Sequence, residues 1–583
     1  MTEELENSQE VKNTEDNTNE NKENELEETE EIQEDERLVS RKKKVESKRR
    51  QAVISVLLVT GIIVLINIIA IKVFFRWDLT PNKIYTLSDA SKNIVSNLDD
   101  KLVVKAYFTD NMPAPYNNNR RYLKELLDDY RSASDGKISY EIISPSDEEE
   151  LEKEAQKYGI QPVQVQTVKN DRAEAMKAYM GVVLLYSGRQ ETIPFIGSIE
   201  NLEYEITGVI NRLTADKLKK VGVLTGNSMP GVEKISKVNN YLSKFYNVEN
   251  VDASKNNPIP DDIKTLIVFS PKEPQQNQMM GQMQTPPPIV PENIKFAIDQ
   301  YIMKGGKVIF LLSKVKVTQQ QQFQIAQNLS TGLEDMLEHY GIKMNPTIIS
   351  DKECAFVQVP VQQGPIQMFT QVPFPFYPKI VNINRDIPSF ANIGQVFLGF
   401  TSDIDLSAAQ NNGIKALPLL TTSPKTGVGN EFAIIQVSGQ MLPDSLFKFK
   451  DLSVGAIFEG KFKSFYNGKT VPTDTAEGSA VPANTIIPES PETKIIALGN
   501  GDFPQDDFRG PDENLLFFAN MIDYMTDDAG LSLIRTKDAN PKPLDTLEDS
   551  TKSLIKYIML FGPPAIVLLY GIFRWRKKKN SLS

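Results

Sequence analysis

Residues 219–227 read KKVGVLTGN. Two lysines open the run. Val221, Gly222, Val223 and Leu224 follow without a polar break, and Thr225, Gly226 and Asn227 supply a turn. An apolar run this short, bounded by a glycine turn, reads as a strand buried on both faces, which is the habit of a parallel sheet. The residues after it keep that rhythm. GVEKISKVNNYLSKF (231–245) reads as a helix, and VENVD (248–252) and KTLIVFS (264–270) as strands. PENIKFAIDQYIMKGG (291–306) is a helix with a glycine stop, KVIFLLS (307–313) a strand, GLEDMLEHYG (332–341) a further helix and TIISD (347–351) a strand. After a long irregular stretch, TKIIALGNGDF (493–503) gives a late strand and DENLLFFANMIDYMT (512–526) the last helix. Strands alternating with helices imply a largely parallel sheet covered on both sides. PQQNQMMGQMQTPPPIVPE (274–292) and TQQQQFQ (318–324) read as flexible surface insertions. QVPFPFYP (371–378) is extended, aromatic and proline-rich.

Upstream, the order is different. Ser88 is a good N-cap, with Asp89 in the first turn and Leu87, Ile94, Val95 and Leu98 on one face. LVVKAYF (102–108) is a strand. The helix after it turns Tyr116, Leu123, Leu126, Leu127 and Tyr130 inward. ISYEII (138–143) is a strand, a charged helix runs from about Asp147 to Tyr158, and VQVQTV (163–168) is a third strand. A hairpin turns at Ser187-Gly188, and Ser198 caps a closing helix with Ile199, Leu202, Ile206, Ile210 and Leu213 on its face. The order β-α-β-α-β-β-α is that of a thioredoxin-like domain, with Pro162 placed where that fold carries a cis-proline. The redox form needs a CxxC pair. TDNMPAPYNNN (109–119) stands in that place without a sulfur nucleophile.

The ends are membrane-like. Ala52 to Ile71 is 20 residues without a charge, about 30 Å of helix and the depth of a bilayer core. Tyr557 to Phe573 is the second apolar run, extended by Leu554 and Ile555 and kinked at Pro563-Pro564. RKKKVESKRR (41–50) precedes the first and RWRKKK (574–579) follows the second, so both termini are expected on the cytoplasmic side and the bulk of the chain outside. The first 36 residues carry 16 Asp and Glu and read as a disordered tail. Net charge is −11 over 583 residues, which argues against nucleic acid as a partner. One cysteine and one histidine, Cys354 and His339, leave no disulfide and no Cys/His zinc cluster.

Sites of chemistry are sought at the C-terminal ends of the strands. Thr225, Gly226 and Asn227 sit at one such end and Asp502 at another, and these four are the candidate ligand or partner surface. GNSMPG (226–231) misses the G-x-S-x-G spacing by one. His339 suits the C-terminal end of a helix dipole, and Cys354 lacks the glycines of a tight elbow. No phosphate loop is present, and Asp502, Asp506, Asp507, Asp512 and Glu513 do not have calcium-loop spacing. The sequence therefore shows no nucleophile and base set, no metal site and no cofactor motif.

Taken in order, WDLTPNKIYTLSDASKNIVSNL (77–98), VGVLTGN (221–227), PDDIKTLIVFSPKEP (260–274), IDQYIMKGGKVIFLL (298–312), LEDMLEHYGIKMNPTIISD (333–351), the segment ALGNGDFPQDD (497–507) with NLLFFANMIDYMTDDAGLSLIRTK (514–537), and GPPAIVLLYGIFRWRKKK (562–579) resemble GldG-like proteins. These are auxiliary components of ABC-type transport systems, known from gliding motility. The resemblance covers roughly residues 74–580. It implies a partner permease and a separate ATPase, and it lends no catalytic residues.

The expected fold is α/β and membrane-anchored. Residues 1–50 form a cytoplasmic tail, 51–75 and 553–573 transmembrane helices, and 536–552 and 574–583 a linker and a basic tail. Between them lie a thioredoxin-like domain without CxxC (76–214) and a larger doubly wound, flavodoxin- or amidotransferase-like domain with a parallel sheet (215–535). The expected function is a non-catalytic auxiliary subunit in the cell membrane. It packs on a permease beside a cytoplasmic ATPase and the lipid bilayer, and it presents its outer region to substrate, an extracytoplasmic protein or a glycan. The alternative is a membrane-tethered ligand-binding or hydrolase-like protein with its site at the sheet's switch point.

Overall fold

A computed structural model describes residues 53–65, 86–145, 148–169, 172–199, 201–215, 217–253, 258–272, 289–320, 323–363, 366–430, 432–435, 442–469, 486–526, 529–535 and 549–580. Helix α1 (Val53–Leu65) is the described part of the first apolar run and belongs to a unit of its own. The rest of that run lies outside the described residues, as do the acidic tail and most of the insertion at 274–292.

The next elements are α2 (Asp89–Ser96), β1 (Leu102–Phe108), α3 (Asn119–Ala133), β2 (Ile138–Ile143), α4 (Glu149–Lys157), β3 (Val163–Lys169), β4 (Arg172–Ala178), β5 (Met180–Tyr186), β6 (Arg189–Ile193) and α5 (Leu202–Thr214). Strands β2, β1, β5 and β6 form one sheet in that order. Strand β1 runs parallel to β2 and antiparallel to β5, and β5 is antiparallel to β6. Ser88 caps α2 as expected, its hydroxyl accepting from the Ser91 N–H.

Three details differ from the sequence reading. VQVQTV is not a strand of this sheet; it pairs with β4 in a separate hairpin. Pro162 simply leads into that extended hairpin, and the cis peptide among the described residues is Ala114–Pro115. Ser198 does not cap α5. The N-cap is Asn201, which reaches φ +60° as asparagine tolerates.

The chain continues with β7 (Lys219–Thr225), α6 (Ser236–Leu242), β8 (Tyr246–Asp252), β9 (Ile263–Phe269), α7 (Glu292–Met303), β10 (Lys307–Leu311), β11 (Val315–Gln320), β12 (Phe323–Asn328), α8 (Glu334–His339), β13 (Lys343–Met344), β14 (Ile348–Asp351), β15 (Cys354–Gln363), β16 (Ile366–Ile380), β17 (Asn382–Ile383), β18 (Val396–Phe397), β19 (Ile404–Asp405), α9 (Ser407–Asn411), β20 (Lys415–Thr421), β21 (Thr426–Gly429), β22 (Phe432–Ile435), β23 (Ser453–Gly460), β24 (Thr493–Leu498), α10 (Asp512–Met525), α11 (Ala529–Arg535) and α12 (Asp549–Asn580).

Eight strands form the main sheet, in the order β17-β20-β23-β24-β10-β9-β7-β8. From β24 to β8 the pairing is parallel. Strands β23, β20 and β17 extend it antiparallel. The sheet is thus mixed, and the stretch read as irregular supplies its antiparallel part. The buried runs alternate between two cores. Val221, Val223, Ile267, Phe269, Ile309, Leu311, Ile496 and Leu498 pack on one side with Val238 and Leu242 of α6 and Phe517 and Phe518 of α10. Leu224, Leu266, Val268, Val308, Phe310, Ile495 and Ala497 pack on the other with Ile294 and Ile298 of α7 and Met336 and Leu337 of α8. Burying each of the larger of these side chains contributes about 1.5–3 kcal/mol, so the period-two alternation fixes the register against a one-residue slip.

The described residues of the glutamine-rich run are not a free loop either. They belong to strands β11 and β12, which pair with each other, with β22 as third strand. QVPFPFYP lies within the 15-residue strand β16, which pairs with β15 from Ile366 to Phe374 and, after a register shift, at Pro378. At the other end, Ser550–Lys577 of α12 is long and apolar enough to cross a membrane, and Leu554, Ile558, Phe561, Val567 and Phe573 are uncovered.

Candidate functional site

Strands β7, β9, β10 and β24 are parallel neighbours, so the loops leaving their C-terminal ends share one edge of the sheet. This is where the structure brings the expected residues together. Thr225 ends β7, and its hydroxyl donates to the Val251 carbonyl at 3.4 Å. Gly226 turns the chain at φ +99°, with Asn227 at +45° and Ser228 at +65° behind it. The Met229 N–H closes the turn on the Gly226 carbonyl at 3.0 Å. The Asn227 side chain donates to the Ile289 carbonyl.

Across the edge, buried Asn500 shapes the loop after β24. Its Oδ1 accepts from the N–H groups of Asp502 (3.0 Å) and Phe503 (2.9 Å). The Gly501 N–H donates to Ser313 Oγ at 3.0 Å, and the Ser313 N–H donates to Ser270 Oγ at 2.7 Å. A residue the sequence reading passed over joins the two halves. Lys272 donates its backbone N–H to the Ser228 carbonyl at 2.9 Å. Its ammonium lies 2.8 Å from Asp502 Oδ1 and 2.7 Å from Gln505 Oε1. One residue thus laces the loop after β9 to those after β7, by its backbone, and β24, by its side chain. Asp502 and Lys272 are both half-exposed, so their ion pair is solvent-screened and weak in isolation.

The other acids at this edge are also engaged. Asp506 accepts from the N–H groups of Ser236 (2.8 Å) and Lys237 (3.0 Å) at the start of α6, where the helix dipole favours a carboxylate. Burial would raise its pKa, but the hydroxyl of Ser236 and these two N–H groups outweigh that and hold it below the usual carboxylate range. Asp512 and Glu513 stand in the first turn of α10. The edge is therefore knitted together by its own hydrogen bonds, and what it presents outward is a polar, shallow-charged rim.

The two residues considered for catalysis take structural places. His339 ends α8 with its ring against Tyr340 and Phe465, at centroid distances of 5.9 and 5.7 Å. Cys354 opens β15 as a buried free thiol, and burial pushes its pKa up, away from the thiolate form.

A second polar constellation lies deep in the molecule. Arg535, the last residue of α11, is buried. Its guanidinium is 2.8 Å from Asp523 Oδ2 and donates to Asn520 Oδ1 at 2.9 Å and to the Tyr204 hydroxyl at 3.2 Å. Tyr246 donates to Asp523 Oδ1 at 2.9 Å, and Tyr204 donates to the Tyr241 carbonyl at 2.6 Å. This node joins α5, which covers the four-stranded sheet, to α10 and α11 on the eight-stranded one. The only hint in the sequence is an arginine closing the apolar run after Ala529, and its partners are too remote along the chain to be read from spacing.

Comparison with known proteins places part of this architecture. Residues 286–527 match the family model described as ABC-type uncharacterized transport system. This supports an auxiliary component of ABC transport systems, as the sequence resemblance implied, at the level of the broad family rather than its gliding-motility members. Residues 81–185 match a domain of unknown function, DUF7088. An uncharacterized protein of Borreliella burgdorferi is 23% identical over 519 residues, spanning 87% of this chain and 94% of the relative. Among solved structures, the mmIFT52 N-terminal domain aligns with 52% of this chain and 97% of its own length, at 12% identity and a TM-score of 0.29.

Proposed function

We propose that this protein is a non-catalytic, two-span auxiliary subunit of an ABC transporter. The observation that carries the reading is the family match over residues 286–527, which takes in much of the eight-stranded sheet. The uncovered apolar length of α12 supports a membrane helix, and a partner permease or lipid would be what covers it. In this reading α1 is the described part of the first span. The basic flanks at 41–50 and 574–579 keep both termini in the cytoplasm, and residues 76–552 are displayed outside as two domains, divided near 215. The strand order β2-β1-β5-β6 supports a thioredoxin-like first domain, and the five parallel strands support a doubly wound second one. Energy comes from a separate cytoplasmic ATPase.

The edge carrying Thr225, Gly226, Asn227 and Asp502 serves here as a surface for a protein partner. The support is that Lys272 and Asn500 already satisfy the groups a ligand would otherwise bind. The test is to isolate the tagged chain in mild detergent from its own cells and identify what accompanies it. A permease and an ATPase in near-stoichiometric amounts are expected. A chain that runs alone from membranes in which those subunits are intact refutes the reading.

A further inference from the structure

A cavity of about 690 Å³ opens beside α3, at the C-terminal ends of β1 and β2. That volume falls in the range of small-molecule sites. It is remote in sequence from the Thr225–Asp502 edge and has a different chemistry. Arg120, Arg121 and Lys124 line it from the first turns of α3, with Tyr116, Tyr140 and Asp110 around them. The three cations fall at positions i, i+1 and i+4, so the helix carries them toward one side.

Their partners are unequal. Arg120 is paired with Asp110, which holds its guanidinium in place. Its Nε is buried and has no hydrogen-bond partner among the described residues. Arg121 and Lys124 are exposed and form no ion pair among the described residues. With Asp110 counted, the lining carries three positive charges and one negative, in a chain whose net charge is −11. The first turn of α3 holds no acidic residue, and its N-cap makes no side-chain bond, so the positive end of the helix dipole adds to the same field. The Tyr140 phenol, pushed up to about 12 by burial and by its hydrogen bond to Asp128, remains a neutral wall.

We propose that this cavity binds a phosphate-monoester ligand, its dianion held by Arg121 and Lys124 with Arg120 as the pre-oriented third cation. Two free cations beside a third one fixed in place match a dianion better than a single carboxylate. The cavity is too small for a folded partner. The proposal is independent of whether the chain sits on a permease. The phosphate monoester can be a free metabolite or a lipid headgroup, and the experiment separates them.

Purified full-length protein in neutral detergent is titrated with glycerol 3-phosphate at constant ionic strength, and separately mixed with phosphatidylcholine vesicles with and without phosphatidic acid. R121A/K124A is the test variant, since both side chains are exposed and the fold does not rest on them. We expect saturable binding in at least one arm, weakened at least tenfold in the variant, a loss of about 1.4 kcal/mol. Binding of glycerol 3-phosphate assigns a free ligand, and binding only to phosphatidic acid vesicles assigns a headgroup. No saturable binding in either arm, or equal binding by a variant that melts like the parent, overturns the proposal.

Discussion

Replacing Arg535 by methionine should be among the most damaging single changes in the chain. The substitution keeps the length of the side chain and removes its charge. Asp523 then stays at 0% exposure without the guanidinium that lies 2.8 Å away, retaining its bond from Tyr246. Asn520 Oδ1 and the Tyr204 hydroxyl lose their donor as well. Burial alone would lower the pKa of Arg535, but Asp523 and Tyr204 outweigh it and keep the guanidinium charged. Breaking one side of a buried pair typically costs about 3–5 kcal/mol. At about 1 °C per kcal/mol for a unit of this size, the melting midpoint should fall by roughly 3–5 °C.

The double variant R535M/D523L removes both charges and should recover much of the loss, because an apolar replacement of a buried pair is often close to neutral. Thermal unfolding of the detergent-solubilised chain, followed by light scattering and circular dichroism, measures R535M, D523L and the double variant against the parent. Limited proteolysis adds a local readout between α5 and α11. A loss under about 1 kcal/mol for R535M, or a double variant as unstable as the sum of the two single ones, would refute the claim that this pair holds the two sheets together.

Four further outcomes are expected. Asp506→Ala removes the acceptor of the Ser236 and Lys237 N–H groups and should cost about 1 kcal/mol, whereas Lys272→Met, losing a half-exposed pair, should cost less than that in thermal unfolding. Gly499→Ala would place a Cβ 2.0 Å from the Ser402 carbonyl oxygen, which is backbone and cannot swing aside; a loss of about 3 kcal/mol is expected, read from chemical denaturation. Burial would raise the pKa of Glu334, but Lys314 and the Thr331 N–H outweigh it and hold the group at about 2. Its folded pKa lies below the unfolded value of 4.5, so its contribution is complete above that pH and is lost as pH falls from 4.5 toward 2. Glu334→Gln should flatten the acid limb of the stability profile in that window.

The parallel half of the main sheet was legible because each strand carries its own signal. KKVGVLTGN, KTLIVFS, KVIFLLS and TKIIAL are short apolar runs between turn residues, and β7, β9, β10 and β24 lie on them. The antiparallel half was not, because β20 and β23 pair across the sequence and no helix alternates with them to announce a sheet. The glutamine run shows the opposite error. Its composition suggests solvation, yet Val315 and Val317 alternate with polar residues, and this period of two decided its fate as β11. At the edge, the positions of Thr225 and Asp502 followed from strand direction alone. Lys272 did not, because a lysine after a strand is ordinary until its three partners are brought to it by folding. Arg120, Arg121 and Lys124 drew no notice in the sequence, because the cavity they line exists only once β1 and β2 are in place.

The Arg535 node also decides where the folded part of the chain can be cut free of α12. The family match stops at residue 527, and a soluble fragment trimmed to that boundary would discard α11 and strand Asp523 in the interior with its counter-charge gone. A soluble version meant for crystallisation or ligand screening has to run through Arg535, because the turn of α11 that carries it doubles as the clasp between both halves.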